Sequence, residues 1–491
     1  MYLSLTSILI PTAGGVLLPA LKPVNKNHSL RNWYVAAVTV ATLASVVACI
    51  VQDTSFLHLF YMTEELEICL NPDSLGKLFA FLTAIMWVLN GCYSFAYMKG
   101  EEHLTGYYTG FLLALGSMIG ISFAGNLVTL YLFYEMMTLT TVCLVLHERT
   151  KEAIYAGKKY FFYSVGGAFL GLFLFFVLFH YSDTLAFRAG GVLDPEKTAG
   201  HEFLILAAIL CALIGFGAKA GMFPLHGWLP TAHPEAPAPA SAILSGNITK
   251  MGVFVIIRIV FYVAGADFLR GTFVQYAFMI LALLTILMGS MMAYVEDGLK
   301  KRLAYSTVSQ VSYILFGLSL LNTTGFVGAL MHVVFHSFVK NTLFLNAGAV
   351  IHQTGRTSVK TLTGIGKEMP VTMWCFTLVS LTLVGIPPTS AFLSKWYLAE
   401  GALAARLPVF SYLGPVILLV SALLTAGYLI TITIKGFFPG ETFDYGSLQK
   451  KEAGLLMTVP MMALTAGAVL LGMFPVKFVK IIEMIAMQAV R

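Results

Sequence analysis

Apolar residues recur along this chain in runs of about twenty, separated by short polar segments. A helix of that length rises about 30 Å, the thickness of a bilayer's hydrocarbon core. Runs can be marked near 3–21, 33–51, 77–98, 106–124, 127–146, 158–181, 202–220, 240–263, 271–294, 304–321, 324–352, 371–404, 409–434 and 455–475. A short amphipathic tail at about 476–490 follows. In lipid every backbone polar group must be satisfied within the segment, so this pattern and period predict helices. The expected fold class is an all-α polytopic membrane protein of about fourteen transmembrane helices.

Composition agrees: 58% of residues are hydrophobic and 11% charged, against about 25% charged in soluble domains. The first apolar run has no basic start and no small-residue cleavage site, so it is expected to be a retained span. The cysteines Cys49, Cys69, Cys92, Cys143, Cys211 and Cys375 are scattered, with no CxxC pair. An iron–sulfur cluster or structural zinc needs clustered thiolates, so no metal site is expected. No glycine-rich phosphate loop or dinucleotide fingerprint is present, and no cofactor is expected. Whatever drives this chain lies in partner subunits or in an ion gradient.

Charge placement predicts the orientation. One set of loops holds Lys22, Lys26, Arg31, Lys99, Arg149, Lys151, Lys158, Lys159, Lys300, Lys301, Arg302, Arg356, Lys360, Lys367, Lys435, Lys450 and Lys451. The opposite set holds Lys77, Arg188, Lys197, Arg270, Arg406, Lys477, Lys480 and Arg491. The positive-inside rule then puts both termini outside the cell membrane. The basic balance is a topology signal, and nucleic acid is not needed to explain it.

Five basic residues remain inside the apolar runs: Lys219, Lys250, Arg258, Lys340 and Lys395. A charge at bilayer depth costs roughly 2.5–3.5 kcal/mol on insertion scales. Arg258 lies near a helix end and is expected to snorkel to the membrane surface. The lysines sit deeper. Lys219 precedes a proline break, FPLHGWLPTAHPEAPAPA, and Lys395 follows another, GIPPTSAFLSKW. Proline removes a backbone donor, and in a membrane the freed groups must face protein or a wet cavity. Broken spans in corresponding places of two halves point to an inverted-repeat transporter. The chain is therefore divided into N-terminal helices (1–105), a first five-helix repeat (106–263), a second (264–437), and a last helix with its tail (438–491).

The segment MHVVFHSFVKNTLFLNAGAV places His332, His336 and Lys340 at i, i+4 and i+8 on one helix face. Successive groups lie about 6 Å apart along the axis, a gap that one or two waters can bridge. Histidine near its ordinary pKa takes and gives protons, and a buried lysine can act as a proton carrier. Two histidines without a carboxylate or thiolate would make a poor metal site.

The strings YLFYEMMTLTT, FPLHGWLPTAHPEAPAPASAILSG, KKRLAYSTVSQVSYILFG, HVVFHSFVKNTLFLNAG and GIPPTSAFLSKW occur in this order. Together they resemble the antiporter-like subunits shared by respiratory complex I, Mrp-type cation/proton antiporters and membrane-bound group 4 hydrogenases or formate hydrogenlyases. The resemblance runs from about residue 100 to 405 and implies several roles. Glu135 and Lys219 would be the paired glutamate and lysine of the fifth and seventh helices. Lys250 would be the lysine of the eighth, His332, His336 and Lys340 the central connector, and Lys395 the exit-side residue of the broken twelfth. One departure is Gly298 where the family commonly has an acid, with Asp297 one residue earlier. The chain also lacks the long lateral helix of the most distal complex I subunit, so the resemblance is to the shorter members.

The expected mechanism follows. A Glu135–Lys219 ion pair holds the lysine protonated until a neighbouring subunit weakens it. The proton then passes Lys250 and the His332–His336–Lys340 face to Lys395. His226, His233 and Glu235 flank the first break and are candidates for cytoplasmic proton uptake. The expected partners are other membrane subunits, a peripheral redox arm and the bilayer. Alternatives are an Mrp-type subunit driven by an ion gradient, a single-chain solute transporter, or a non-pumping structural subunit. Sodium in place of the proton also stays open.

Overall fold

The computed structural model describes residues 2–52, 56–440, 443–444 and 449–490; Arg491 of the outer-loop set lies outside them. The chain is helical almost throughout. Its first crossings are α1 (Leu3–Leu17) and α2 (His28–Val51), followed by a hairpin, β1 (Leu57–Thr63) and β2 (Leu66–Leu70). Then come α3 (Ser74–Tyr97), α4 (Leu104–Phe123), α5 (Leu127–Val145), α6 (Lys151–Tyr181), α7 (Glu202–Ala220) and the short α8 (Leu229–Glu235). The composite α9 (Ala238–Ala264) precedes α10 (Phe273–Val295), α11 (Leu299–Ser319) and α12 (Thr323–Thr354). Last are α13 (Pro370–Val384), α14 (Ser390–Ala404), α15 (Phe410–Phe437), α16 (Leu455–Met473) and the amphipathic α17 (Val476–Ala489).

Eleven described helices are long and apolar enough to cross a membrane. The sequence-read spans not among them are α11, α12 and the α13–α14 pair. The first two carry basic and polar residues, and the third is split by its break. Both breaks are built alike. Each half-helix ends on a left-handed glycine, Gly221 after α7 (φ 84°) and Gly385 after α13 (φ 89°), where a side chain would be strained. Carbonyls freed at the first break find donors: Trp228 Nε1 donates to Ala218 O at 2.7 Å and the Met222 amide to Gly217 O at 2.8 Å.

Three features escaped the sequence reading. The segment between α2 and α3 folds partly as a β-hairpin. It is tied to the α4–α5 turn by Cys69 N to Thr129 Oγ1 (3.0 Å) and Asn126 Nδ2 to Glu67 O (2.7 Å). Helix α9 contains two π-helical stretches, Leu244–Ile248 and Arg258–Ala264. Such widened turns leave carbonyls without their usual helical donors and often mark functional sites. Third, Arg258 does not snorkel. It is 1% exposed and makes a two-pronged pair with Asp73, at 2.6 and 2.7 Å, under the rings of Phe187, Phe254 and Tyr262. Asp73 also caps α3 by accepting from the Gly76 amide. Asp73→Ala would leave the guanidinium buried and alone. We expect it to cost roughly 3–5 kcal/mol, read as a lower thermal midpoint and less assembled complex, with unchanged translocation per assembled copy. An unshifted midpoint would show that the pair contributes little.

The displaced acid Asp297 lies in the α10–α11 loop, away from the membrane interior. It pairs with Lys360, which holds its carboxyl below the usual range, and its carbonyl accepts from the Val359 amide at 2.9 Å. It clasps the α10–α11 loop to the segment after α12.

Candidate functional site

Lys219, in the last turn of α7, is fully buried. Its ammonium donates to three neutral oxygens: Thr138 Oγ1 at 3.0 Å from α5, and Tyr160 OH and Ser164 Oγ, each at 2.9 Å, from α6. The rings of Tyr160 and Tyr134 lie 4.5 and 5.5 Å from it. Tyr160 OH is in turn 2.6 Å from Thr141 Oγ1. All three ammonium hydrogens are thus satisfied without a carboxylate.

The direct Glu135–Lys219 ion pair expected from the sequence is not formed. No carboxylate oxygen lies within 4.0 Å of the Lys219 nitrogen among the described residues. The two act on each other at longer range, and Tyr131, one turn earlier on α5, is a nearer neighbour of Glu135. The reason is geometric. Glu135 sits near the middle of α5 beside the outward residues Leu132, Met136 and Leu139, and is itself only partly buried. Thr138, nearly one turn further on, takes the inward position facing Lys219.

Lys250 follows the first π-helical stretch of α9, and its ammonium donates to the Ser245 carbonyl and, at 3.4 Å, to Thr249 Oγ1. Gly252 brings α9 close against α7, because a Cβ there would meet Ala220 N at 2.8 Å and Lys219 Cβ at 3.1 Å. On α12, Lys340 donates to Ser306 Oγ at 2.6 Å and Leu303 O at 3.1 Å. His336 faces Lys250, Lys340 and His332, and its ring stacks on that of His332 at 5.9 Å. His332 bonds Ser394 Oγ at 2.9 Å through Nδ1 and stacks on Tyr313 at 5.5 Å. The neighbouring Lys395 reaches back across the second break to the carbonyls of Leu383 (2.7 Å) and Val384 (2.9 Å), at the negative end of α13. The structure therefore brings Lys250, Lys340, His336, His332 and Lys395 into one series, while Lys219 sits on α7 where that helix packs against Gly252 of α9.

The three candidates for uptake separate. His233 is fully buried, stacks on Phe344 at 4.6 Å one turn beyond Lys340, and leaves both ring nitrogens unbonded. Lys340, Lys300 and Lys250 are the charges that act on it. His226 is half-buried and stands near Lys159, which donates to Thr231 Oγ1 at 3.0 Å. Glu235 lies at the end of α8, whose flanking carbonyls Pro234 O and Ala236 O accept from Lys300 at 3.2 and 2.9 Å. Nearby, in the α5–α6 turn, burial and Glu101 push the Glu148 carboxyl up while Lys300 opposes them.

Sequence reading missed the side-chain oxygens that hold Lys219 and Lys340, on Thr138, Tyr160, Ser164 and Ser306, and the Ser394 hydroxyl that holds His332. For α11 a signal existed. Ser306, Gln310 and Tyr313 recur at helical spacing in a run otherwise apolar enough to be a span.

Comparison with known proteins matches this chain to a family. Residues 124–434 match the family described as NADH:quinone oxidoreductase/Mrp antiporter, transmembrane. NADH-quinone oxidoreductase subunit N of Desulforudis audaxviator is 32% identical over 422 residues, covering 83% of this chain and 82% of that one. Hydrogenase-4 component B of Escherichia coli is 30% identical over 430 residues, 83% of this chain and 62% of that longer protein. A chain of the membrane-bound sulfane sulfur reductase, an archaeal respiratory membrane complex, superposes with a TM-score of 0.86 over 100% of this chain and 98% of its own, at 22% identity. That last likeness is one of fold.

Proposed function

The chain belongs to the NADH:quinone oxidoreductase/Mrp antiporter membrane family, and from that premise we propose how it moves ions. It is a multi-pass, antiporter-like, ion-translocating membrane subunit. The proposed path starts at the cytoplasmic face near His226, His233 and Glu235. It stores a proton at Lys219, passes Lys250 and the Lys340–His336–His332 face, and releases the proton from Lys395 to the outside. Two inverted five-helix repeats, 106–263 and 264–437, would place one break toward each membrane face, with both termini outside the cell membrane.

One observation carries this reading. Among the described residues, the buried Lys219, Lys250 and Lys340 and the partly buried Lys395 are held by neutral hydroxyl or carbonyl oxygens and none by a carboxylate. The same chain shows how it fixes a permanent buried cation, in the two-pronged Arg258–Asp73 pair. A lysine on neutral acceptors can lose its proton without abandoning an ion pair in a low-dielectric interior. This favours proton carriers over a structural role, and protons over sodium.

Glu135 supports a partner. A carboxylate at mid-membrane, partly exposed on the isolated chain, needs protein to cover it. A neighbouring membrane subunit there would let charge changes reach Lys219. Electron transfer in a peripheral redox arm is the proposed driver, and an opposing ion gradient, as in an Mrp-type assembly, is the second reading.

The test is purification of the tagged chain from native membranes, followed by dye-detected proton uptake in vesicles. Co-purification of redox subunits, with substrate-dependent uptake, is expected. Small membrane subunits alone, with exchange driven by an imposed gradient, would favour the second reading. Full transport by the chain alone would overturn both. In the intact complex, Glu135→Gln is expected to slow translocation several-fold without loss of assembly; unchanged rates would remove Glu135 from the coupling.

A further inference from the structure

Helices α11 and α12 run antiparallel, and two contacts fix their register. Ser306 receives the Lys340 ammonium at 2.6 Å, and the Tyr313 ring stacks on His332 at 5.5 Å. Between these levels α12 presents His336, four residues from each end. On α11 the intermediate positions of this level are Ser309 and Gln310. Ser309 is turned away, bonding Ile286 O at 3.0 Å and lying 2.7 Å from Ser290 Oγ. Gln310 is left at the level of His336.

Gln310 is fully buried, and neither its amide oxygen nor its nitrogen has a hydrogen-bond partner. The same holds for both ring nitrogens of His336 and for His332 Nε2. Gln310 lies near the Tyr313 hydroxyl, but that hydroxyl donates to Leu418 O at 2.9 Å. Four of these atoms, on Gln310 and His336, thus fall at one level of the helix pair, with His332 Nε2 one turn further along α12, and none of the five is hydrogen-bonded. Buried polar atoms in native proteins are bonded to protein or to ordered water. A polar, closely grouped set of donors and acceptors is where such water is held.

We propose that Gln310 is a positioning residue that holds the water linking Lys340, His336 and His332. An amide suits this task. It donates and accepts at once, and it does not titrate, so it orients water without capturing the proton. The proposal rests on the reading that this face carries protons.

The test uses the intact complex in vesicles. Gln310→Met keeps size and removes both hydrogen-bonding atoms. It is expected to lower translocation at least tenfold, with an unchanged unfolding midpoint and a larger H2O/D2O rate ratio, because proton transfer becomes limiting. Gln310→Asn should recover part of the rate. A high-resolution map should show ordered water within hydrogen-bond distance of both Gln310 and His336. Wild-type translocation by Gln310→Met, or a dry direct contact in the map, overturns the proposal. If Gln310→Met does not assemble, the map alone decides. His336→Leu separates the two levels of the argument. If it blocks transport while Gln310→Met does not, only the role of Gln310 falls. If His336→Leu transports normally, the reading of the whole face falls with it.

Discussion

Lys219→Arg is expected to reduce ion translocation to background in a complex that still assembles. The cage of Thr138, Tyr160 and Ser164 offers three neutral acceptors to a compact ammonium. A guanidinium keeps the positive charge and can use those acceptors, so assembly has no reason to fail. It does not release its proton, however, because its pKa exceeds about 12 in any protein setting. Lys219→Ala should also stop transport but perturbs more. It takes one partner from each of three buried hydroxyls; Thr138 Oγ1 keeps Tyr134 O and Tyr160 OH keeps Thr141 Oγ1, while Ser164 is left to lose about 1–3 kcal/mol if it finds no new partner. Comparison of the two variants separates charge from chemistry. Dye-detected uptake at the wild-type rate by Lys219→Arg would reduce Lys219 to a structural cation and remove it from the path.

Much of the architecture was legible because the signals are local. An apolar run of membrane length, a proline pair and a lone lysine can each be read from a short window, and each led to a real helix, break or buried group. The histidine–lysine face of α12 follows from spacing alone. What could not be read depends on which helix packs against which. Arg258 and Asp73 are 185 residues apart, and nothing near Arg258 distinguishes a buried pair from a snorkelling end. The Glu135–Lys219 contact failed for the same kind of reason. Sequence places both near mid-membrane, but helix rotation decides whether Glu135 or Thr138 faces inward. The lysine-holding hydroxyls were hidden by ambiguity, since serine and threonine in helices often just bond their own preceding carbonyls. Thr141 does so to Met137 O at 2.6 Å. The π-helical stretches of α9 have no dependable sequence signature at all.

Lys340→Met should give the second large effect. Lys340 is the point where α12 meets α11, through Ser306 Oγ and Leu303 O, and where Lys250, His336 and His233 come within electrostatic reach. The proposed path reaches it from Lys250, and it acts on the buried His233 of the uptake group as well. Methionine fills similar space, so packing changes little. The acceptors left behind keep other partners: Ser306 Oγ still accepts from Tyr428 OH at 2.7 Å. Transport should therefore fall to background while the unfolding midpoint moves only slightly. Tyr428→Phe is the contrasting variant, because it removes the bonds to Ser306 and Thr425 and leaves the lysine's own contacts in place. It should keep most of the transport rate. If Lys340→Met and Tyr428→Phe lose transport equally, the Ser306 network as a whole, and not a proton on Lys340, would be what transport requires. If neither loses it, the path does not pass through α12.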